Sequence, residues 1–160
     1  MTQQFTQKYT IVQFFDDIGE EYEYSSDSWP LHSTIVDTFA IDWSVSRLKD
    51  VLKNHATADS VTEDDRFFGD QGQVQVVLLN RSNSLVELHQ DILTALEEGG
   101  LKLNDPQFAR DGFLPHATVQ KHARLDKGDK VRFTALSIVD MFPDKDPYKR
   151  KVLKTIAIGS

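Results

Sequence analysis

Two stretches decide how this chain reads: LHSTIVDTF, Leu31–Phe39, and LPHATVQKH, Leu114–His122. Each sets a histidine two residues before a threonine and continues into an aliphatic residue, and each reads as a strand. In a strand, residues i and i+2 point to the same face. His32 and Thr34 therefore emerge side by side, while Leu31, Ser33 and Ile35 face the other way. His116 and Thr118 repeat the arrangement, with Pro115, Ala117 and Val119 on the opposite face. The small and aliphatic residues can pack beneath a sheet while imidazole and hydroxyl project together above it. Two such strands meeting across a cleft supply two imidazoles and two hydroxyls.

That set suits phosphate-ester chemistry without a metal. Histidine titrates near pH 6.5, so one ring can take a proton while the other gives one. Threonine hydroxyls can hydrogen-bond the non-bridging phosphate oxygens and hold the phosphorus between the rings. A third His-x-Thr, His55-Ala56-Thr57, lies at the end of a predicted helix and is followed by Ala58-Asp59-Ser60 rather than a strand, so it reads as coincidence. His89 falls within a predicted helix and reads as a partly buried or surface residue.

The bulk composition narrows the alternatives. With 160 residues, 39% hydrophobic and 10% aromatic, the chain can bury a core and is expected to form one domain over residues 1–160. A net charge of -7 argues against an extended nucleic-acid surface, which needs a basic surplus, while leaving room for a single nucleotide. The absence of cysteine excludes disulfides, a thiolate nucleophile and Cys-based zinc. No third ligand joins His116 and His122, so neither a metal nor a cofactor is expected. No basic start with an apolar signal segment is present, and no apolar run approaches the roughly 20 residues of a membrane span. A cytoplasmic monomer without a membrane partner is the expectation.

Strands are predicted at Tyr9–Phe15, Leu31–Phe39, Val61–Phe68, Gln73–Leu79, Phe113–Gln120, Val131–Met141 and Lys151–Ile158. The acidic segment after Phe15 reads as a loop with room for a short helix, and LNDPQFARDG as a connection. One helix follows Trp43, capped by Asp42 or Ser44. A second covers SLVELHQDILTALEEGG, with Ser84 and Glu87 as a capping box and Gly99 closing it. The order suggests an α+β fold of mostly antiparallel sheets with two outer helices.

The paired motifs resemble those of the two-histidine phosphoesterase superfamily, which includes 2′-5′ RNA ligase-like proteins and 2′,3′-cyclic nucleotide phosphodiesterases. Pro115-His116-Ala117-Thr118-Val119 is the closer match. After the first motif the family often continues into small or apolar residues where Asp37 stands, and after the second it often has an arginine where Lys121 stands. The resemblance implies a bilobal fold in which two mostly antiparallel sheets flank a central groove. It implies a phosphoesterase acting on a nucleotide or RNA-end phosphodiester, such as a 2′,3′-cyclic phosphate or a 2′-5′ linkage. His116 would then activate water, His32 would protonate the leaving oxygen, and Thr34 and Thr118 would bind the phosphate. Lys121 and His122 are further groove candidates. Phe14, Phe15, Phe67, Phe68 and Tyr148 could stack a base, and Arg66 and Arg81 could meet phosphate. A module that binds nucleotide or RNA in the same groove without turnover is the alternative.

Overall fold

The computed structural model describes residues 7–159. It is an α+β fold of ten antiparallel strands and two α-helices. In chain order these are β1 (Tyr9–Phe14), β2 (Glu23–Ser25), β3 (His32–Ala40), α1 (Val45–Leu52), β4 (Ala58–Phe68), β5 (Val74–Leu79), α2 (Asn83–Glu97), β6 (Lys102–Leu103), β7 (His116–Thr118), β8 (Lys130–Phe133), β9 (Ala135–Asp140) and β10 (Lys149–Ala157). The sheet order is β2-β10-β9-β1-β3-β7-β5-β4-β8, with β6 added on β3. The two halves, β2-β10-β9-β1-β3 and β7-β5-β4-β8, meet where Ser33 of β3 faces Ala117 of β7.

The helices form where apolar residues recur at helical spacing and a hydroxyl caps the first turn. Ser44 accepts from Arg47 N at the start of α1. At α2 the cap is Ser82, which accepts from Leu85 N, and not the Ser84–Glu87 box. Ser84 is diverted because its hydroxyl accepts from Asp59 N on β4, tying the helix start to the sheet. Helix α2 buries Leu85, Leu88, Ile92, Leu93 and Leu96. These join Ile11, Val36, Phe39, Leu48, Leu52, Phe133 and Ile138 in the main core. A smaller core forms on Val12, Tyr24, Val139 and Val152, with Phe14 and Trp29 packed against it.

Several predicted elements differ. The segment 131–141 is two strands, because the chain leaves the β4 edge at Thr134 and joins β1 and β10 as β9. One residue separates β8, at one end of the sheet path, from β9 near the other, so the sheet curls back on itself while its strand path stays open. The Gln13 side chain holds the crossing: its amide donates to the Arg132 carbonyl and its oxygen accepts from Thr134 N and Ala135 N. A short strand, β2, occupies part of the acidic segment expected to be a loop. Strand β4 starts at Ala58, so a strand does follow the third His-x-Thr; His55 instead has its Nε2 2.9 Å from the Val51 carbonyl at the end of α1. The connection at 101–112 holds β6 and two 3-10 turns, Pro106–Phe108 and Arg110–Gly112. Strand β7 is only three residues long. No helix among the described residues is long and apolar enough to cross a membrane.

The Gln13 clamp gives a direct test. Gln13→Ala leaves the Thr134 and Ala135 N–H groups to water or to nothing, at a cost of about 1–3 kcal/mol. Urea denaturation of the variant should show that loss, and an unchanged midpoint contradicts the clamp.

Candidate active site

The four motif side chains assemble because their strands are neighbours. With Ser33 opposite Ala117 in an antiparallel pair, His32 lies across from Thr118 and Thr34 across from His116. Ser33 and Ala117 are buried on the helix side, and all four motif residues are half-buried on the other face. The two histidines occupy diagonal positions on adjacent strands, which sets them about 7–8 Å apart. That gap has room for one phosphate.

Both rings are held the same way. His32 Nδ1 lies 2.8 Å from the Pro30 carbonyl, and His116 Nδ1 lies 2.8 Å from the Leu114 carbonyl. A carbonyl can only accept, so each Nδ1 carries the proton and each neutral ring keeps Nε2 as its open lone pair. Aromatic neighbours fix the ring planes. Trp29 lies against His32 with ring centres 4.4 Å apart, and Phe14 borders its other side at 6.0 Å. Phe68 meets His116 edge to face at 5.1 Å.

The electrostatics separate the two. Burial pushes His32 down to about 4, partly opposed by the Pro30 carbonyl, and the His116 charge pushes in the same direction as burial. Burial also lowers His116, but the Leu114 carbonyl and the Asp37 carboxylate both work to keep its proton.

Asp37 reaches this face through an irregularity that strict alternation misses. Val12 pairs with Thr34, yet the next residue back, Ile11, pairs with Val36. Ile35 is thus an extra residue in β3, a β-bulge that shifts Val36 and Asp37 by one face before a second irregularity, between the Ile11–Val36 and Tyr9–Phe39 pairs, shifts the strand again. Val36 turns to the core opposite Ile11, and Asp37 joins the face of Thr34. A cleft of about 620 Å³ opens there, bordered by Thr34, Asp37, Phe68, Gln107, Phe108 and His116 among others, while His32 and Thr118 lie outside its lining on the same sheet face.

The cleft wall is pinned by a buried histidine. His89 is 2% exposed, against the expectation of a partly buried or surface residue. Its Nδ1 donates to the Ile35 carbonyl at 2.6 Å, its Nε2 accepts from Arg110 N at 3.0 Å, and its ring stacks on Phe113 at 4.0 Å. It therefore ties β3 at the bulge to the segment carrying Gln107 and Phe108, with no free nitrogen for chemistry. Sequence periodicity places His89 on α2 but carries no sign of these partners.

The remaining candidates sit elsewhere. Lys121 and His122 are exposed in the turn after β7, where Gln120 N donates to the Ala123 carbonyl, and neither borders the cleft. Strand alternation therefore does not carry His122 onto the His116 face. Of the aromatic candidates, Phe68 lines the cleft, Phe14 packs on His32, and Phe15 lies against Phe133. Phe67 and Tyr148 are exposed and line no part of the cleft. Neither Arg66 nor Arg81 borders it, and Arg81 donates to the Arg110 carbonyl. Asp37, Gln107 and Phe108 are among the cleft residues not assigned to the site from the sequence, two of them in a presumed connection and Asp37 just beyond the bulge. Among the described residues, no group of three or more His, Cys, Asp or Glu could hold a metal ion.

The sequence and the fold both match a known group of proteins. The family model of the 2′-5′ RNA ligase superfamily matches residues 6–138, and the chain belongs to that superfamily. Its members' two-histidine phosphoesterase chemistry supports an enzyme of that class. Among solved structures, Escherichia coli LigT complexed with NADP+ is similar at 13% identity and TM-score 0.57, covering 96% of this chain and 98% of LigT. LigT complexed with 3′-AMP is similar at 12% identity and TM-score 0.55, covering 97% and 99%. A further structure described as a phosphoesterase is 15% identical with TM-score 0.51, covering 81% and 78%. No curated protein matches the chain.

The depressed imidazoles make stability depend on pH in a defined direction. A folded-state value of about 4 for His32, against an ordinary 6.5, means the unfolded chain binds its proton first. This contribution is complete above pH 6.5 and is lost as pH falls toward 4, by on the order of 3 kcal/mol. His32→Asn should flatten the urea midpoint across that window relative to the parent. Parallel pH profiles for the two proteins contradict the burial argument.

Proposed function

We propose that this protein is a metal-independent phosphoesterase that cleaves a nucleotide or RNA-end phosphodiester, a 2′,3′-cyclic phosphate or a 2′-5′ linkage, between His32 and His116. The observation that carries this reading is the pair of Nε2 atoms left open on neighbouring strands, each by an Nδ1 bond to the carbonyl two residues before it. Superfamily membership supports the phosphoester, and the nucleotides bound by LigT support the substrate class.

In hydrolysis, one neutral Nε2 takes a proton from water as the oxygen attacks phosphorus. The other ring, protonated, gives its Nε2 proton to the leaving ribose oxygen as that bond breaks. In the ligase direction the base takes its proton from a ribose hydroxyl instead. Thr34 and Thr118 donate their hydroxyls to the non-bridging oxygens and stabilise the charge of the pentacoordinate state. Lys121 and His122 are assigned no step.

The family resemblance implies His116 as base and His32 as acid. The electrostatics of the unliganded site favour the converse. His32, more strongly depressed, is the ring more readily kept neutral, while Asp37 helps His116 hold a proton. A phosphodiester with a p-nitrophenolate leaving group needs no acid and separates the two assignments. On it, His116→Ala should be largely rescued and His32→Ala should not; the opposite rescue pattern restores the order the resemblance implies.

On a cyclic nucleotide or 2′-5′-linked dinucleotide, either alanine variant should lose about 10²–10⁴-fold in rate, the contribution of one general acid or base. Activity should survive EDTA, and product phosphate position read by phosphorus NMR identifies the cleaved bond. Full activity in either variant contradicts the reading, while nucleotide binding without any product favours a non-catalytic module. Because both imidazoles lie below their ordinary value in the free protein, the bell of kcat/KM should peak below pH 6.5. A peak above pH 7 contradicts the assignment of both limbs to these rings.

A further inference from the structure

We propose that the cleft beside His116 reads a guanine ring, with the Asp37 carboxylate accepting from the base's Watson–Crick edge; this rests on the phosphodiesterase reading. Three observations lead there.

The first is what borders the cleft. Ile35, Phe68, Phe108, Phe113 and Leu114 make it mostly apolar, with Asp37 and Gln107 as its polar side chains beyond the motif residues Thr34 and His116, and no Lys or Arg among its lining residues. A second phosphate has no counter-charge there and meets a carboxylate. A flat ring suits such walls, and Phe108, about half exposed in the free protein, is available to cover one.

The second is the state of Asp37. The Thr38 N–H donates to Oδ1 at 2.9 Å and is its one hydrogen-bond donor among the described residues. Burial raises the carboxyl above its usual range and the Asp105 charge adds to that, while the Thr38 N–H and the His116 charge work to lower it. A partly desolvated carboxylate with unused lone pairs and an acidic neighbour rewards a ligand that brings N–H donors.

The third is spacing. Asp37 lies three residues beyond Thr34 along β3, so its Cα is no more than about 10 Å from that of the phosphate-binding threonine. The bulge at Ile35 aims both into one cleft. A phosphate at Thr34 and a base edge at Asp37 are then the two ends of a single nucleotide.

Guanine is the base whose edge matches two carboxylate oxygens, because N1–H and the N2 amino group are adjacent donors. Adenine and cytosine set a donor beside an acceptor, and uracil sets one donor between two acceptors, so each turns a lone pair toward the carboxylate. One bidentate pair discriminates by about 5- to 150-fold.

The test is a rate panel on the four 2′,3′-cyclic mononucleotides with the parent protein and Asp37→Asn. The parent should favour the guanosine substrate in kcat/KM by a factor in that range, chiefly through KM. In Asp37→Asn the ratio of guanosine to the other three should collapse toward one. Equal use of all four bases by the parent overturns the proposal. So does a variant that lowers all four rates alike, which would assign Asp37 to His116 alone. If the parent turns over none of them, and no 2′-5′-linked dinucleotide either, the phosphodiesterase reading fails separately. Calorimetric titration with 3′-GMP, 3′-AMP, 3′-CMP and 3′-UMP then decides the base proposal: binding selective for GMP and weakened by Asp37→Asn sustains it, and unselective or absent binding overturns it.

Discussion

The site depends on one short strand pairing. Ser33 opposite Ala117 joins β3 to β7, and everything chemical follows from the alternation around that contact. Small side chains at both positions let the strands pack closely over the core, and their neighbours are thereby forced onto the opposite face. Had the register slipped by one residue, every motif side chain would have turned into the core and every core side chain into the groove. The pairing is local, but its position is set from afar. β1 holds β3 on one side, with Phe14 opposite His32, and β5 holds β7 on the other, with Leu78 opposite His116.

Around that contact the chain repeats a simple device. Each histidine bonds through Nδ1 to the carbonyl two residues before it, so ring orientation is encoded within a few residues of the strand start. The surroundings then make the two copies unequal. Trp29 and Phe14 enclose His32 in an apolar setting, whereas His116 has Phe68 on its edge and a carboxylate within electrostatic reach. Two identical local motifs in different environments are what acid–base division of labour needs. The cleft wall is held to the same strand by His89, a histidine with both nitrogens occupied and a purely structural place in the fold.

Much of this was legible in the sequence, and the exceptions have physical causes. Period-two alternation in Leu31–Ile35 and around His116 is enough to place His32 with Thr34 and His116 with Thr118, and helical spacing is enough to find α1 and α2. Strict alternation fails where the strand is irregular: nothing in Thr34-Ile35-Val36-Asp37 marks Ile35 as a bulge, so Asp37 could not be put in the cleft. The break at Thr134 is equally silent, because β8 and β9 are both good strand sequence and only their partners, β4 for one and β1 with β10 for the other, distinguish them. Ser84 with Glu87 satisfies the capping pattern, but a tertiary bond to Asp59 claims the serine. Phe108 lies in short 3-10 turns whose placement depends on His89, a long-range contact without a local signature.

The central claim is that the two Nε2 atoms open onto a single phosphate. It is tested most directly by following the histidine side-chain nitrogens of the labelled protein by NMR while 3′-GMP is added. The account predicts that His32 and His116 both start with the proton on Nδ1 and an open Nε2. Both Nε2 signals should then shift together, at one ligand concentration, while the His89 nitrogens stay still. If only one of the pair responds, or if the two respond to separate binding events, the histidines do not share a phosphate and the account is contradicted.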